Sequence, residues 1–164
     1  MTIPAKGKQW LLDFYEILAK DIMNKRIGDM PLTEQDASMD CVLSILTGRD
    51  HVWVVESKGS KELVGIITEH DILDIFSPRK EVSFFGLPSK KSLHYEIFEK
   101  AGHIMSRNPI RCSPEEKVED VLNKMIDHRV RRIPVVENSE IIGEITLHHL
   151  IRKFYVFIKI PIEE

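Results

Sequence analysis

The sequence predicts an α+β protein assembled from two copies of one βαββα-type unit, with a helix at its N-terminus. Three echoes that recur in the same order in both halves predict it. Asp21-Ile22-Met23 is answered by His103-Ile104-Met105, and Val54-Val55-Glu56 by Val135-Val136-Glu137. Leu63-Val64-Gly65-Ile66-Ile67-Thr68 is answered by Ile141-Ile142-Gly143-Glu144-Ile145-Thr146, and the match runs on into Ile72-Leu73 against Leu150-Ile151 and Phe76 against Phe154.

The elements follow in chain order. Residues 1–19 form an N-terminal helical extension in which Trp10, Leu11, Phe14, Ile17 and Leu18 make an amphipathic stripe that must cover apolar surface. The first copy spans 20–76. Its first long helix is aligned with that of the second copy by matching Val42-Leu43 to Val121-Leu122, which implies a shorter turn around Gly48. Residues 77–99 read as a linker, with turn formers at Ser77-Pro78, Gly86 and Pro88-Ser89 and a short helix expected over Leu93–Lys100.

The second copy spans 100–154. Ser113-Pro114-Glu115-Glu116 is the pattern of a helix start, with Ser as N-cap, Pro at the first helical position and acids complementing the dipole. Val118, Val121, Leu122, Met125 and Ile126 then recur at three- and four-residue spacing, so they share one buried stripe. Ile133–Val136 reads as a buried strand, Glu137-Asn138-Ser139 as a tight turn, and Ile141–Thr146 as the hairpin partner. A helix begins at Leu147 and runs to about Phe157, and 155–164 is an apolar C-terminal tail that must pack on the chain or on a second copy.

Composition excludes several classes of function. The chain has 164 residues, 43% of them hydrophobic and 30% charged, enough to bury a core without disulfides or metal. Cys41 and Cys112 lie within ordinary periodic segments, so neither a disulfide scaffold nor a thiolate metal site is supported, and a reducing, cytoplasmic setting is expected. Asp13, Glu16 and Lys20 interrupt any signal-peptide core, and no run is long enough to span a membrane. With 23 basic against 26 acidic side chains the net charge is −3, which gives no global drive toward nucleic acid.

Two units that each end in a Gly-x-x-Thr strand running straight into a helix, together with the leading Ile-Met pairs, the Arg-Ile-Pro-Val-Val strand and Gly65-x-x-Thr68-x-x-Asp71, resemble a tandem CBS-domain pair, or Bateman module, standing alone. The resemblance covers Lys20–Phe76 and Lys100–Phe154, roughly two-thirds of the chain. It implies pseudo-twofold-related units, clefts that take AMP, ADP, ATP or S-adenosylmethionine, assembly as a homodimer, and control of a partner protein in trans. It implies no catalysis, no required cofactor, and AMP, ADP or ATP ahead of S-adenosylmethionine.

The residues give the ligand reading its chemistry. Thr68 closes a strand and Asp71 sits one helical turn on, where backbone N–H groups and the dipole favour phosphate. The Thr68 hydroxyl suits a phosphate oxygen, the Asp71 carboxylate suits the two hydroxyls of a ribose, and Ile66 lies beside them on the same strand. Thr68 and Asp71 equally make a capping box, a common helix start. Arg131 and Arg132 occupy positions that in similar proteins reach phosphates, and guanidinium groups bind them bidentately; the alternative is a solvated pair balancing Asp127 and Glu137. The resemblance assigns adenine to Ile110, Cys112 and Val130, which are also ordinary core residues.

The second copy departs from the pattern. His149 stands where Asp71 stands in copy one, and copy one has Asp50 and His51 where copy two has Arg131 and Arg132. One competent site is therefore expected, with a weaker second cleft near Ile27, Gly28, His51 and Thr146. Among rivals, His51, His70, His148 and His149 lack metal-ligand spacing, no nucleophile–base motif appears, and Arg129, Arg131 and Arg132 make only a small basic spot. The alternative function is a ligand-independent interaction or dimerisation module using Trp10, Phe14, Phe84, Phe85 and Phe154–Ile162.

Overall fold

The computed structural model describes residues 5–76 and 100–159. The chain divides into two compact units, one drawn from Met1–Met30 with Ile110–Glu164 and the other from Pro31–Pro109. Sequence copies and compact units thus do not share boundaries: the leading segment of each copy belongs to the unit that holds the other copy's hairpin.

The unit Pro31–Pro109 holds β1 (Leu32–Glu34), α3 (Met39–Leu46), β2 (His51–Val55), β3 (Leu63–Thr68), α4 (Glu69–Phe76), α5 (Ala101–Ile104) and β4 (Ser106–Arg107). Its sheet has the order β1-β2-β3-β4, with β1 parallel to β2 and the other pairs antiparallel. All of β2, His51-Val52-Trp53-Val54-Val55, is buried, so its continuous apolar run reflects cover on both faces. By contrast β3 alternates buried and half-buried residues, the period of two expected of a strand with one inward face. The core joins Met39 and Val42 of α3 to Val52, Val54, Ile67, Ile72, Ala101 and Met105.

The other unit holds α1 (Ala5–Tyr15), α2 (Ala19–Ile22), a 3-10 turn (Ile27–Asp29), α6 (Val118–Asp127), β5 (Arg132–Glu137), β6 (Glu140–Thr146) and α7 (Leu147–Lys159). β5 and β6 form an antiparallel hairpin. Asn138 and Ser139 both have positive φ, 49° and 67°, which makes the expected tight turn a two-residue loop of the kind whose twist matches its strands. Phe14, Ala19, Ile22, Cys112, Val118, Val121, Met125, Ile133, Val135, Ile145 and Leu150 make the core. Phe14 meets Phe154 edge-on, with ring centroids 5.2 Å apart, and Phe157 at 6.0 Å. Phe14 is therefore core and not the contact residue expected of an interaction surface, and α1 is fastened to α7.

The repeat extends to hydrogen-bond register. In copy one Val54 faces Gly65 and Val55 faces Leu63, a bulge at Val64; in copy two Val135 faces Gly143 and Val136 faces Ile141, the same bulge at Ile142. Val42 and Val121, both fully buried, are each the fourth residue of their helix, and α3 ends sooner, at Thr47-Gly48. The strand β1 of copy one shrinks in copy two to a single parallel bridge, Cys112 to Val135.

Gly65 and Gly143 are explained by the exchange of leading segments. A Cβ on Gly65 would collide with the side chain of Met105, and one on Gly143 would lie 2.8 Å from the carbonyl oxygen of Asn24 and 2.6 Å from the sulfur of Met23. Each methionine of the first echo is thus seated on the glycine of the third, across the two copies. Asn24 bridges Glu144 in β6 just as Ser106 pairs with Ile66 in β3.

Two further sequence expectations fail: Ile126 lies outside the buried stripe of α6, 71% exposed, and the start of that helix moves. Ser113 does not start a helix; α6 starts at Val118 with Lys117 at its N-cap. The segment instead turns, its Glu116 side chain accepting from the Ser113 N–H at 2.9 Å. Its carbonyls are occupied elsewhere: Glu116 O accepts from Ala19 N at 2.7 Å and Pro114 O from Lys20 N at 3.0 Å. Those bonds to the α2 segment compete with helical ones, and tertiary pairing overrides local preference. The apolar tail is helical at least to Lys159. Residues 160–164, Phe84, Phe85 and the helix expected at Leu93–Lys100, save Lys100 itself, lie outside the described residues.

Candidate functional site

In the unit Pro31–Pro109 the candidate site is the corner where β3 becomes α4. Thr68 is the last residue of β3 and pairs with His51, the first of β2. Its N–H and its hydroxyl both donate to one oxygen of Asp71, Oδ2, at 2.7 and 2.8 Å. The carboxylate therefore caps the helix start. Both side chains are half-buried. The bond from the Thr68 N–H is one half of the expected capping box, and since both bonds end on Oδ2 neither competes for Oδ1.

Beside this corner His51 is buried. Its Nδ1 lies 2.7 Å from Asp50 Oδ1, and its ring meets Trp53 edge-on at 5.2 Å. Residues 51 and 53 lie on one face of β2. Trp53 escaped the sequence reading, although that period of two was the available signal. Ile66 is half-buried, in register with Trp53 on one side and Ser106 on the other.

The equivalent corner of the other unit is built alike and capped differently. Thr146 pairs with Arg132, and Leu147 N–H donates to Arg131 O at 2.7 Å, as Glu69 N–H does to Asp50 O in copy one. Here the Thr146 hydroxyl oxygen accepts from the His149 N–H at 3.1 Å. Burial, followed by the nearby Lys153 and Arg152, holds the His149 imidazole below its ordinary pKa, so a neutral ring stands where copy one has a carboxylate. Arg131 is exposed and Arg132 half-buried, which leaves Arg131 a solvated side chain. Ile27 is half-buried and Gly28 exposed in the 3-10 turn.

Ile110 and Val130 pack against the core around Cys112. Cys112 is buried, its N–H donates to Pro134 O and its carbonyl accepts from Val136 N–H. Burial pushes its thiol up to about 12, with Glu116 adding to the shift, so it is no nucleophile at neutral pH.

A depression of about 600 Å³ lined by Glu34, Gln35, Asp36, Glu56, Ser57 and Lys58 lies at the opposite end of β2 from Thr68. Its three carboxylates against one lysine would repel a phosphate. Among the described residues no group of three or more His, Cys, Asp or Glu is placed to hold a metal ion, and no helix is long and apolar enough to cross a membrane.

Comparison with known proteins agrees with the repeat. A CBS-domain protein of Arabidopsis thaliana, CBSX3, mitochondrial, is 31% identical over 73% of this chain and 53% of its own length. An uncharacterized protein of Methanocaldococcus jannaschii is 28% identical over 82% of this chain and 89% of its own. A homoserine O-acetyltransferase of Methanosphaera stadtmanae matches over 80% of this chain but only 23% of the enzyme. The chain spans 53% of the Arabidopsis relative, 36% of a Rickettsia prowazekii relative and 55% of a Bacillus subtilis one.

Among solved structures, CBSX2 in complex with AMP superposes with a TM-score of 0.69 at 20% identity, covering 87% of this chain and 98% of that one. The CBS domain of a bacterial CNNM/CorC family Mg2+ transporter in complex with ATP gives 0.67 at 18%, covering 90% and 94%. At such identities the likeness is one of fold. The CBS domain family matches residues 19–78 and 101–155, most of the chain, and the protein belongs to that family as a tandem CBS-domain pair.

Proposed function

We propose that the chain is a regulatory module that binds an adenine nucleotide and acts on a partner protein in trans. The observation that carries this is the Thr68–Asp71 corner, where a half-buried carboxylate is oriented by two bonds to Oδ2. Asp71 Oδ1 is the proposed acceptor for the ribose hydroxyls and the start of α4 the proposed phosphate contact, while the Thr68 hydroxyl, whose one proton goes to Asp71 Oδ2, reaches a phosphate oxygen only by exchanging that bond for one to the ligand. Arg131 and Arg132 are proposed as phosphate ligands and Ile66, Ile110, Cys112 and Val130 as the apolar surroundings of adenine. Cys112 would serve through its packing, since its backbone is engaged with β5. AMP in CBSX2 and ATP in the transporter domain support this ligand class. Cationic phosphate ligands favour AMP, ADP or ATP over S-adenosylmethionine, whose sulfonium is itself positive.

Thermal unfolding with AMP, ADP, ATP and S-adenosylmethionine tests the reading. A ligand at a hundred times its Kd stabilises by about 2.7 kcal/mol, which for a chain of this size raises Tm by roughly 5–10 °C. Asp71→Asn keeps an acceptor for the Thr68 N–H but loses the charge, so it should melt close to the parent without ligand and lose the ligand-induced rise. An unchanged rise in that variant would assign the ribose contact elsewhere. No rise with any of the four would favour the second reading, a ligand-independent interaction module, which the exposed apolar residues of α7 support.

A further inference from the structure

We infer that the corner Thr146–His149 is a pH-sensitive latch, which holds α7 on its unit while His149 is neutral and loosens it when the ring is protonated. The inference is independent of nucleotide binding. The start of α7 gathers groups that repel a cation. Its first turn carries no acidic residue, and His148, His149, Arg152 and Lys153 fill four of its first seven positions. From the hairpin, Arg132 stands across from Thr146, and the Arg131 carbonyl takes the Leu147 N–H at 2.7 Å. A helix start is already the positive end of the dipole and disfavours a further positive charge. His149 is half-buried, and its backbone N–H donates to the Thr146 hydroxyl oxygen at 3.1 Å, a neutral cap that offers a charged ring nothing.

Glu144 of β6 acts the other way and favours the charged ring, but burial first, and then Lys153, Arg152 and His148, outweigh it. Copy one has the opposite arrangement, with Glu69 and Asp71 as two acids in the first turn of α4. A ring that is harder to protonate in the folded chain leaves stability untouched at neutral pH. Stability is lost as pH falls below the ordinary histidine value of 6.5, until the folded ring is itself protonated. Packing determines what the latch releases. Leu150 joins the core, and Phe154 and Phe157 hold Phe14 of α1, with centroids at 5.2 and 6.0 Å. Loosening α7 therefore loosens α1, so acid sensed at the corner reaches the N-terminal helix.

Two measurements on the full chain test this between about pH 8 and about pH 5, where histidine changes charge. NMR follows the His149 ring, assigned through its backbone in the parent chain. Hydrogen exchange, corrected for the intrinsic pH dependence of amides, compares α7 with the β5–β6 hairpin in the parent and in His149→Gln. The ring is expected to titrate below 6.5. Protection of α7 should fall relative to the hairpin as pH drops, by at most about tenfold per pH unit because one proton is linked. In His149→Gln it should stay level. A ring that titrates at or above 6.5 overturns the proposal, and this result needs only the parent chain. So does level protection of α7 in the parent, a fall shared equally by the hairpin, or an equal fall in His149→Gln.

Discussion

Gly143 and Gly65 occupy the same place in their hairpins, yet the chain crowds them differently. A methyl group on Gly65 meets the side chain of Met105, which can swing aside. On Gly143 it meets the Asn24 carbonyl, which is held by its bond from the Glu144 N–H at 3.3 Å. Gly143→Ala should therefore cost about 1–3 kcal/mol and Gly65→Ala less, measured by urea unfolding of both variants; equal costs would mean that the backbone around Asn24 yields as easily as a methionine. At this scale the sequence was informative where interactions are local. Thr68 and Asp71 lie three residues apart, so their mutual bonds were readable from spacing. The burial of His51 against Trp53 was not drawn from the sequence, although the continuous run Val52-Trp53-Val54-Val55 is the pattern of a strand covered on both faces.

Hairpins and helices were legible from periodicity because each buries one face of a regular pattern. The β5–β6 turn fell where Asn138-Ser139 predicted it. Its backbone asks more of Ser139 than of Asn138, since φ is positive at both and asparagine tolerates that region while serine does so poorly. Ser139→Gly relieves about 1–2 kcal/mol of backbone strain and adds about 0.4–1 kcal/mol of unfolded-chain entropy. A net gain of roughly 0.5–1 kcal/mol is expected, visible as a higher urea midpoint at unchanged slope; a loss would mean that the turn does not hold this conformation in solution. The Ser113 segment shows the limit of local reading. Its composition specifies a helix start, but the N–H groups of Ala19 and Lys20, nearly a hundred residues earlier, take the carbonyls that a helix would use. Nothing in Ser113-Pro114-Glu115-Glu116 announces that competitor.

The exchange of leading segments ties the whole molecule together. The echoes Ile22-Met23 and Ile104-Met105 marked the two copies in the sequence but not the crossing, because a repeat reports likeness and not which copy a segment packs on. Residues up to Met30 supply Phe14, Ala19 and Ile22 to the core of the unit that holds the second hairpin. Ala101 and Met105 supply the core of the unit that holds the first. A chain broken between 77 and 99 therefore yields two pieces, each lacking a core segment of both units. Produced separately, residues 1–88 and 89–164 should show weak, non-cooperative melting, because each hairpin is left with an uncovered glycine and an unfilled core. Mixed, they should co-elute and recover the melting transition of the intact chain, at a temperature that rises with concentration because the halves are no longer linked. A 1–88 piece that melts cooperatively alone and ignores its counterpart would show that the copies fold as self-sufficient domains, and that the methionine–glycine contacts form only after each is complete.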